Sequence, residues 1–212
     1  MLQSSIKGIL AGRKIQEQRD ALVRRNKYLE RYVLMSHKAS EIANAIKRCN
    51  ILFRRLTNVD FLREDILAIS GLHLPCENEK DLSVKLGSLA SLFELDLDPI
   101  RSKLKKFDKN WKLVKLIEQW FLENNLPYDK DMFQTWRNLI DLRNASFPFH
   151  PTNARVVDPL QFFGHGFPIN HPKLCDSILE KFIESLNKFQ IALNAAASSQ
   201  AMTHGNSILD QC

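Results

Sequence analysis

Asp129–Phe147 reads DKDMFQTWRNLIDLRNASF and carries the clearest periodicity in the chain. Met132, Phe133, Trp136, Leu139, Ile140 and Phe147 recur on one helix face, and Arg143 falls on the same stripe, seven residues after Trp136. Asp129 or Asp131 offers an amino-terminal cap. Pro148 offers a stop at Phe147, because a residue before proline avoids helical geometry. The spacing predicts a helix with a guanidinium on its apolar side. That group keeps its charge, so a position facing the interior must supply an anion, a set of acceptors or a water-filled cleft.

Helical periods continue in both directions. Residues 11–34 read as a helix with a narrow apolar seam, Ile15, Leu22, Leu29, Tyr32 and Val33, and arginines and lysines cover much of the rest. Ser36 or Ser40 would cap a second helix through Ile42, Ile46, Ile51, Leu52 and Leu56, and the two form either an antiparallel hairpin or a pairing surface for a second copy. Asn58 precedes an expected short helix Val59–Ser70, closed by Gly71. GLHLPCENEKD, residues 71–81, reads as a surface loop. Further helices are expected over 81–93, from Pro99, and over 109–125 with Trp111, Val114, Leu116, Ile117, Trp120 and Phe121 inward.

Residues 148–173 hold five prolines and three histidines and read as a long irregular segment, a length that often carries function. ARVV, residues 154–157, is the only credible strand. The last helix, 173–197, aligns Leu174, Ile178, Phe182, Ile183, Leu186, Phe189 and Leu193. The expectation is an all-α protein: an up-and-down bundle with a basic amino-terminal helical hairpin and a long proline-rich loop before the last helix. Its parts are a basic region 1–95, a bundle 96–197 and a disordered tail 198–212.

Composition narrows the function classes. With 212 residues, 44% hydrophobic and 25% charged, the chain has the make-up of a soluble globular protein, and no run of 18 apolar residues predicts a membrane span. The amino terminus lacks the apolar core of a secretion signal. Four scattered cysteines without a C-x-x-C pair argue against a zinc ribbon or a disulfide framework and point to reducing cytoplasm. Net charge is +6, yet residues 1–60 alone hold 13 Lys or Arg against five Asp or Glu. Such a region suits nucleic-acid phosphates, with Arg24, Arg25, Lys27 and Arg31 as the candidate contacts; a merely solvated helix face is the plainer reading.

No phosphate-binding glycine loop, dinucleotide fingerprint or serine nucleophile elbow is present. His150, His165, His171 and Cys175 are zinc-type ligands at spacings that match no paired-ligand pattern beyond His171-x3-Cys175, so no metal is assigned. Phe162-Phe163 and Phe147-x-Phe149 either stack on bases or close a core. The strongest constellation is Arg143, Asn144 and His150. Pro148 turns the chain out of the helix so that His150 folds back beside it, and a fixed cation next to a titratable imidazole suits phosphodiester chemistry. The alternative pairs Arg143 with Asp141 or Asp158 and leaves His150 packed in a loop.

WRNLIDLRNASFPFH, residues 136–150, followed after a loop by an amphipathic last helix, resembles the higher eukaryotes and prokaryotes nucleotide-binding (HEPN) superfamily over about residues 96–197. Arg143 matches the family's arginine, Asn144 the polar residue after it, and His150 the histidine, with six residues intervening. The resemblance implies a metal-independent endoribonuclease, often a toxin or antiviral defence effector, with its cleft where two bundles dimerise. Arg143 would clamp phosphate, His150 act as general acid or base and Asn144 orient. It implies no cofactor, and as partners RNA, a second copy and a cognate antitoxin or regulatory protein. The other function class is a non-catalytic helical module that binds protein or nucleic acid, with Arg143 serving structure.

Overall fold

The computed structural model describes the backbone of residues 2–145 and 148–209 and the side chains of 13–145 and 148–198. Eight helices and no strand occur among the described residues: α1 (Leu2–Thr57), α2 (Ile66–Leu72), α3 (Glu79–Ser91), α4 (Asp98–Arg101), α5 (Leu113–Glu123), α6 (Lys130–Asn144), α7 (Ala154–Phe162) and α8 (His171–Leu209). The architecture is an all-α bundle. Its longest helix is 56 residues, where the sequence predicts a hairpin. Neither glycine nor proline occurs between Arg13 and Thr57 to make a turn, and Ser40 Oγ donates to the Ser36 carbonyl at 2.9 Å inside the helix rather than capping a new one. Asn58, at φ 61°, closes α1 in the left-handed conformation that asparagine tolerates.

The helix expected from Val59 starts only at Ile66, and a buried asparagine explains the delay. Asn50 Oδ1 accepts from the Phe61 and Leu62 amides at 3.0 Å, while its Nδ2 donates to the Leu62 carbonyl at 2.8 Å and to Glu64 Oε1 at 3.1 Å. Those backbone groups are therefore committed to a side chain of α1 and cannot enter a helical ladder. Asp65 caps α2 instead, accepting from Leu67 N at 2.8 Å, and Gly71 lies inside that helix rather than after it.

The proline-rich segment contains a helix where ARVV suggests a strand. Asn153 caps α7 by accepting from Arg155 N at 3.1 Å, and Val156, Leu160 and Phe163 are buried at spacings of four and three. Pro151 stands ahead of that cap. α8 begins at His171, with Pro172 in its first turn where a missing N–H costs nothing. The last helix, expected to end at 197 before a disordered tail, runs on in its backbone to Leu209; the side chains from 199 and the last three residues lie outside the described residues.

α1 and α8 lie side by side in the same direction, Lys38 Nζ reaching Glu180 at 2.8 Å and Asp176 at 3.3 Å, and Arg48 Nε donating to Gln190 at 2.8 Å further along. Burial alone would lower the Lys38 pKa, but the two carboxylates outweigh it and raise it. α6 packs against α8 in the opposite direction, with Trp136 Nε1 donating to Ser185 Oγ at 2.8 Å and Lys188 meeting Asp129 at 3.2 Å. Aromatic rings fill the space between. Phe61 and Phe189 have centroids 4.1 Å apart, Phe53 meets Trp120 at 5.0 Å, and Trp136 meets Phe61 at 5.1 Å. Trp120 and Trp136 are thus core residues. Trp111 precedes α5, which starts at Leu113, and is only partly buried.

Candidate functional site

Met132, Phe133, Trp136, Leu139 and Leu142 form the buried side of α6, and the helix ends at Asn144. Arg143 lies within this angular stripe but in the last turn, where Leu142 and Ala145 stay buried while Arg143's own face meets a groove. Its side chain is 47% exposed. The sequence places it facing the interior; the structure places it over a groove of about 650 Å³ between α6, the end of α3 and the segment before α5. The position's charge is answered in all three ways open to it. Asn144 Oδ1 accepts from Arg143 Nη1 at 3.0 Å, Glu94 Oε1 stands 3.5 Å from Nη2, and the groove admits water. The carboxylate is Glu94, itself mostly exposed, and neither Asp141 nor Asp158. An exposed pair at that distance contributes little to stability.

The groove has an apolar floor of Phe93, Leu113, Val114 and Ile140, and Trp111 at one side. Around it stand Arg143, Arg137, Lys112 and Lys115, against Glu94 and Asp141. Two of these cations are already engaged. Buried Glu118 receives Lys115 at 2.9 Å, Arg137 at 3.1 Å and the Tyr128 hydroxyl at 2.6 Å. Burial pushes its pKa up, yet these three donors hold it below the ordinary value. Asp141 is raised by burial, which Arg155 and Arg137 only partly offset.

His150 does not line this groove. It is exposed, with Nδ1 and Thr152 Oγ1 at 3.0 Å, and no hydrogen bond or ion pair joins it to Arg143 or Asn144 among the described residues. Phe149 beside it is buried in the core, so it anchors the loop rather than offering a stacking surface. Ser146 and Phe147, which connect the two halves of the motif, lie outside the described residues. One chain thus brings together Arg143 and Asn144 and leaves His150 apart.

The remaining candidates disperse. Arg24, Arg25 and Lys27 are exposed on α1, and Arg31 reaches Glu77 at 3.4 Å. His165 Nε2 meets Ser177 Oγ at 2.9 Å, and among the described residues no three of His, Cys, Asp and Glu group as metal ligands. Phe163 is buried, and Phe162 is covered by Lys181 Nζ at 4.4 Å from its centroid.

Sequence reading missed a second cluster. Lys85 is 2% exposed and has no carboxylate at ion-pair distance among the described residues; its ammonium donates to the carbonyls of Gly71 at 3.0 Å, Leu72 at 2.7 Å and Leu74. It satisfies the end of α2 and complements that helix terminus. Burial lowers its pKa, with the Cys175 and Cys76 thiols and Asp81 opposing. The Cys76 thiol is raised by its contact with Cys175 and by burial, while that same contact and Lys85 lower Cys175 against its own burial. Lys85 at a core position of α3, in register with Leu82, Leu86 and Leu89, was the signal.

No helix among the described residues is long and apolar enough to cross a membrane. No protein-family model matches the chain, and no curated protein and no solved structure matches it.

Proposed function

We propose that the protein acts on RNA as a metal-independent endoribonuclease of the HEPN type, binding phosphate at the carboxyl-terminal end of α6 and completing its cleft with a second copy. The observation that supports this reading is the state of Arg143: half exposed over an aromatic-edged groove, donating to Asn144 Oδ1 at 3.0 Å and meeting an exposed carboxylate only at 3.5 Å. An incoming phosphate replaces Glu94 at little cost and gains charge-assisted hydrogen bonds from the guanidinium. Asn144 keeps the fork oriented. His150, with Nε2 unpartnered among the described residues, supplies the proton transfer.

The assay is cleavage of a labelled single-stranded RNA in excess chelator. Wild type is expected to cut, His150→Ala to lose at least roughly a hundredfold in rate at unchanged melting temperature, and Arg143→Ala to lose both cutting and binding. Undiminished cutting by His150→Ala would sink the enzyme reading. A second reading, a non-catalytic RNA-binding module, is favoured by the separation of His150 from the groove; it predicts RNA binding that depends on Arg143 and no cleavage by any variant.

A further inference from the structure

α1 carries two apolar faces that point in different directions. Met35, Ala39, Ile42, Ile46, Cys49 and Phe53 are buried in the bundle. Ile15, Leu22, Leu29 and Val33 precede them on the same helix and are 59%, 59%, 49% and 67% exposed. At 3.6 residues per turn the second set lies roughly 145° round the helix from the first. Extending the bundle along α1 would therefore cover Glu17, Arg24 and Arg31, not the seam. Every residue from Arg13 to Leu34 except Arg31 is exposed, and a seam spanning about 27 Å is left without a partner among the described residues.

Ile15, Leu22 and Leu29 repeat at seven residues, the spacing by which one helix keeps a face toward another. Charge selects the kind of helix. Residues 13–34 carry seven Lys or Arg, among them Arg19 and Arg25 flanking the seam, against Glu17, Asp20 and Glu30. A second copy would bring a like surplus to within about 10 Å, inside a Debye length. Nucleic acid would meet the cations and leave the seam wet, because phosphates offer no apolar surface.

We propose that residues 13–34 of α1 dock an amphipathic helix of a different protein, one with aliphatic residues at heptad spacing and glutamates or aspartates flanking them. This stands apart from the RNA chemistry of α6, since it uses none of the groove residues and its test involves no cleavage.

The probe is a synthetic three-heptad peptide with leucine and isoleucine on its seam and glutamate beside it, paired with the same peptide bearing lysine at those flanks. Fluorescence anisotropy on the full chain should show binding of the acidic peptide only. Leu22→Glu/Leu29→Glu, at two exposed positions, should weaken it at least roughly tenfold at unchanged melting temperature. The proposal is overturned if the acidic peptide does not bind, or binds the double variant equally well. It is overturned in favour of self-association if sedimentation shows a wild-type dimer that the double variant breaks, and in favour of nucleic acid if single-stranded RNA binds wild type and loses affinity in the double variant.

Discussion

Residues 13–34 and 35–57 belong to one unbroken helix and are similarly rich in aliphatic side chains, yet one half is solvent-exposed and the other forms a wall of the core. Apolar content does not separate them. The direction of the apolar stripe does, since only the second half presents its stripe toward α8 and the aromatic cluster. The hydrophobic effect acts on area removed from water, so equal residues on the two halves should differ sharply in their contribution. Phe53→Ala is expected to cost about 3–5 kcal/mol, while Leu22→Ala stays within about 0.5 kcal/mol. Denaturant titration of both variants checks this, and a large loss at Leu22 would mean that the first half is already covered in solution.

The buried half of α1 also organises polar groups. Asn50→Ala strands the Phe61 and Leu62 amides and the Leu62 carbonyl, so a loss of about 3 kcal/mol is expected, seen as a lower denaturation midpoint. No position of the exposed half should approach that figure. A pH-dependent effect comes from Cys49, whose thiol is fully buried and donates to the Leu186 carbonyl at 3.4 Å. Burial pushes its pKa up to about 12 from 9.0, with Arg48 opposing weakly. The unfolded thiol ionises first, so the folded state binds more protons and stability is lost as pH rises through that window, at up to about 1.4 kcal/mol per pH unit. Cys49→Ala should flatten the decline in melting temperature over this range, and the difference between the two curves isolates the thiol from Lys85 and Cys175.

Much of the all-α architecture was legible because its inward positions repeat at a helical period: α3, α5, α6 and α8 are marked by Leu82, Ile117, Trp136 and Phe182 on their stripes. The departures have local causes. Ser36 and Ser40 resemble caps, but a serine can satisfy its hydroxyl on the preceding turn, and no breaker accompanies them. α7 hides behind valines and an internal Pro159, although Asn153 and the spacing of Val156, Leu160 and Phe163 announce it. Loop 58–65 is fixed by Asn50, a long-range contact that no local pattern carries. Arg143 shows the limit at the site: its angle on the helix was readable, but whether that face meets packing or a groove depends on where α3 and the loop before α5 end.

Trp111 gives the molecule an optical handle. Of the three tryptophans, Trp120 and Trp136 are enclosed by rings, whereas Trp111 stands at the groove edge with Lys115 Nζ 5.7 Å from its centroid. Its indole is therefore the emitter that iodide can quench, and a molecule filling the groove would displace that quencher. The chain carries its own unlabelled reporter of occupancy, independent of whether any bond is cut.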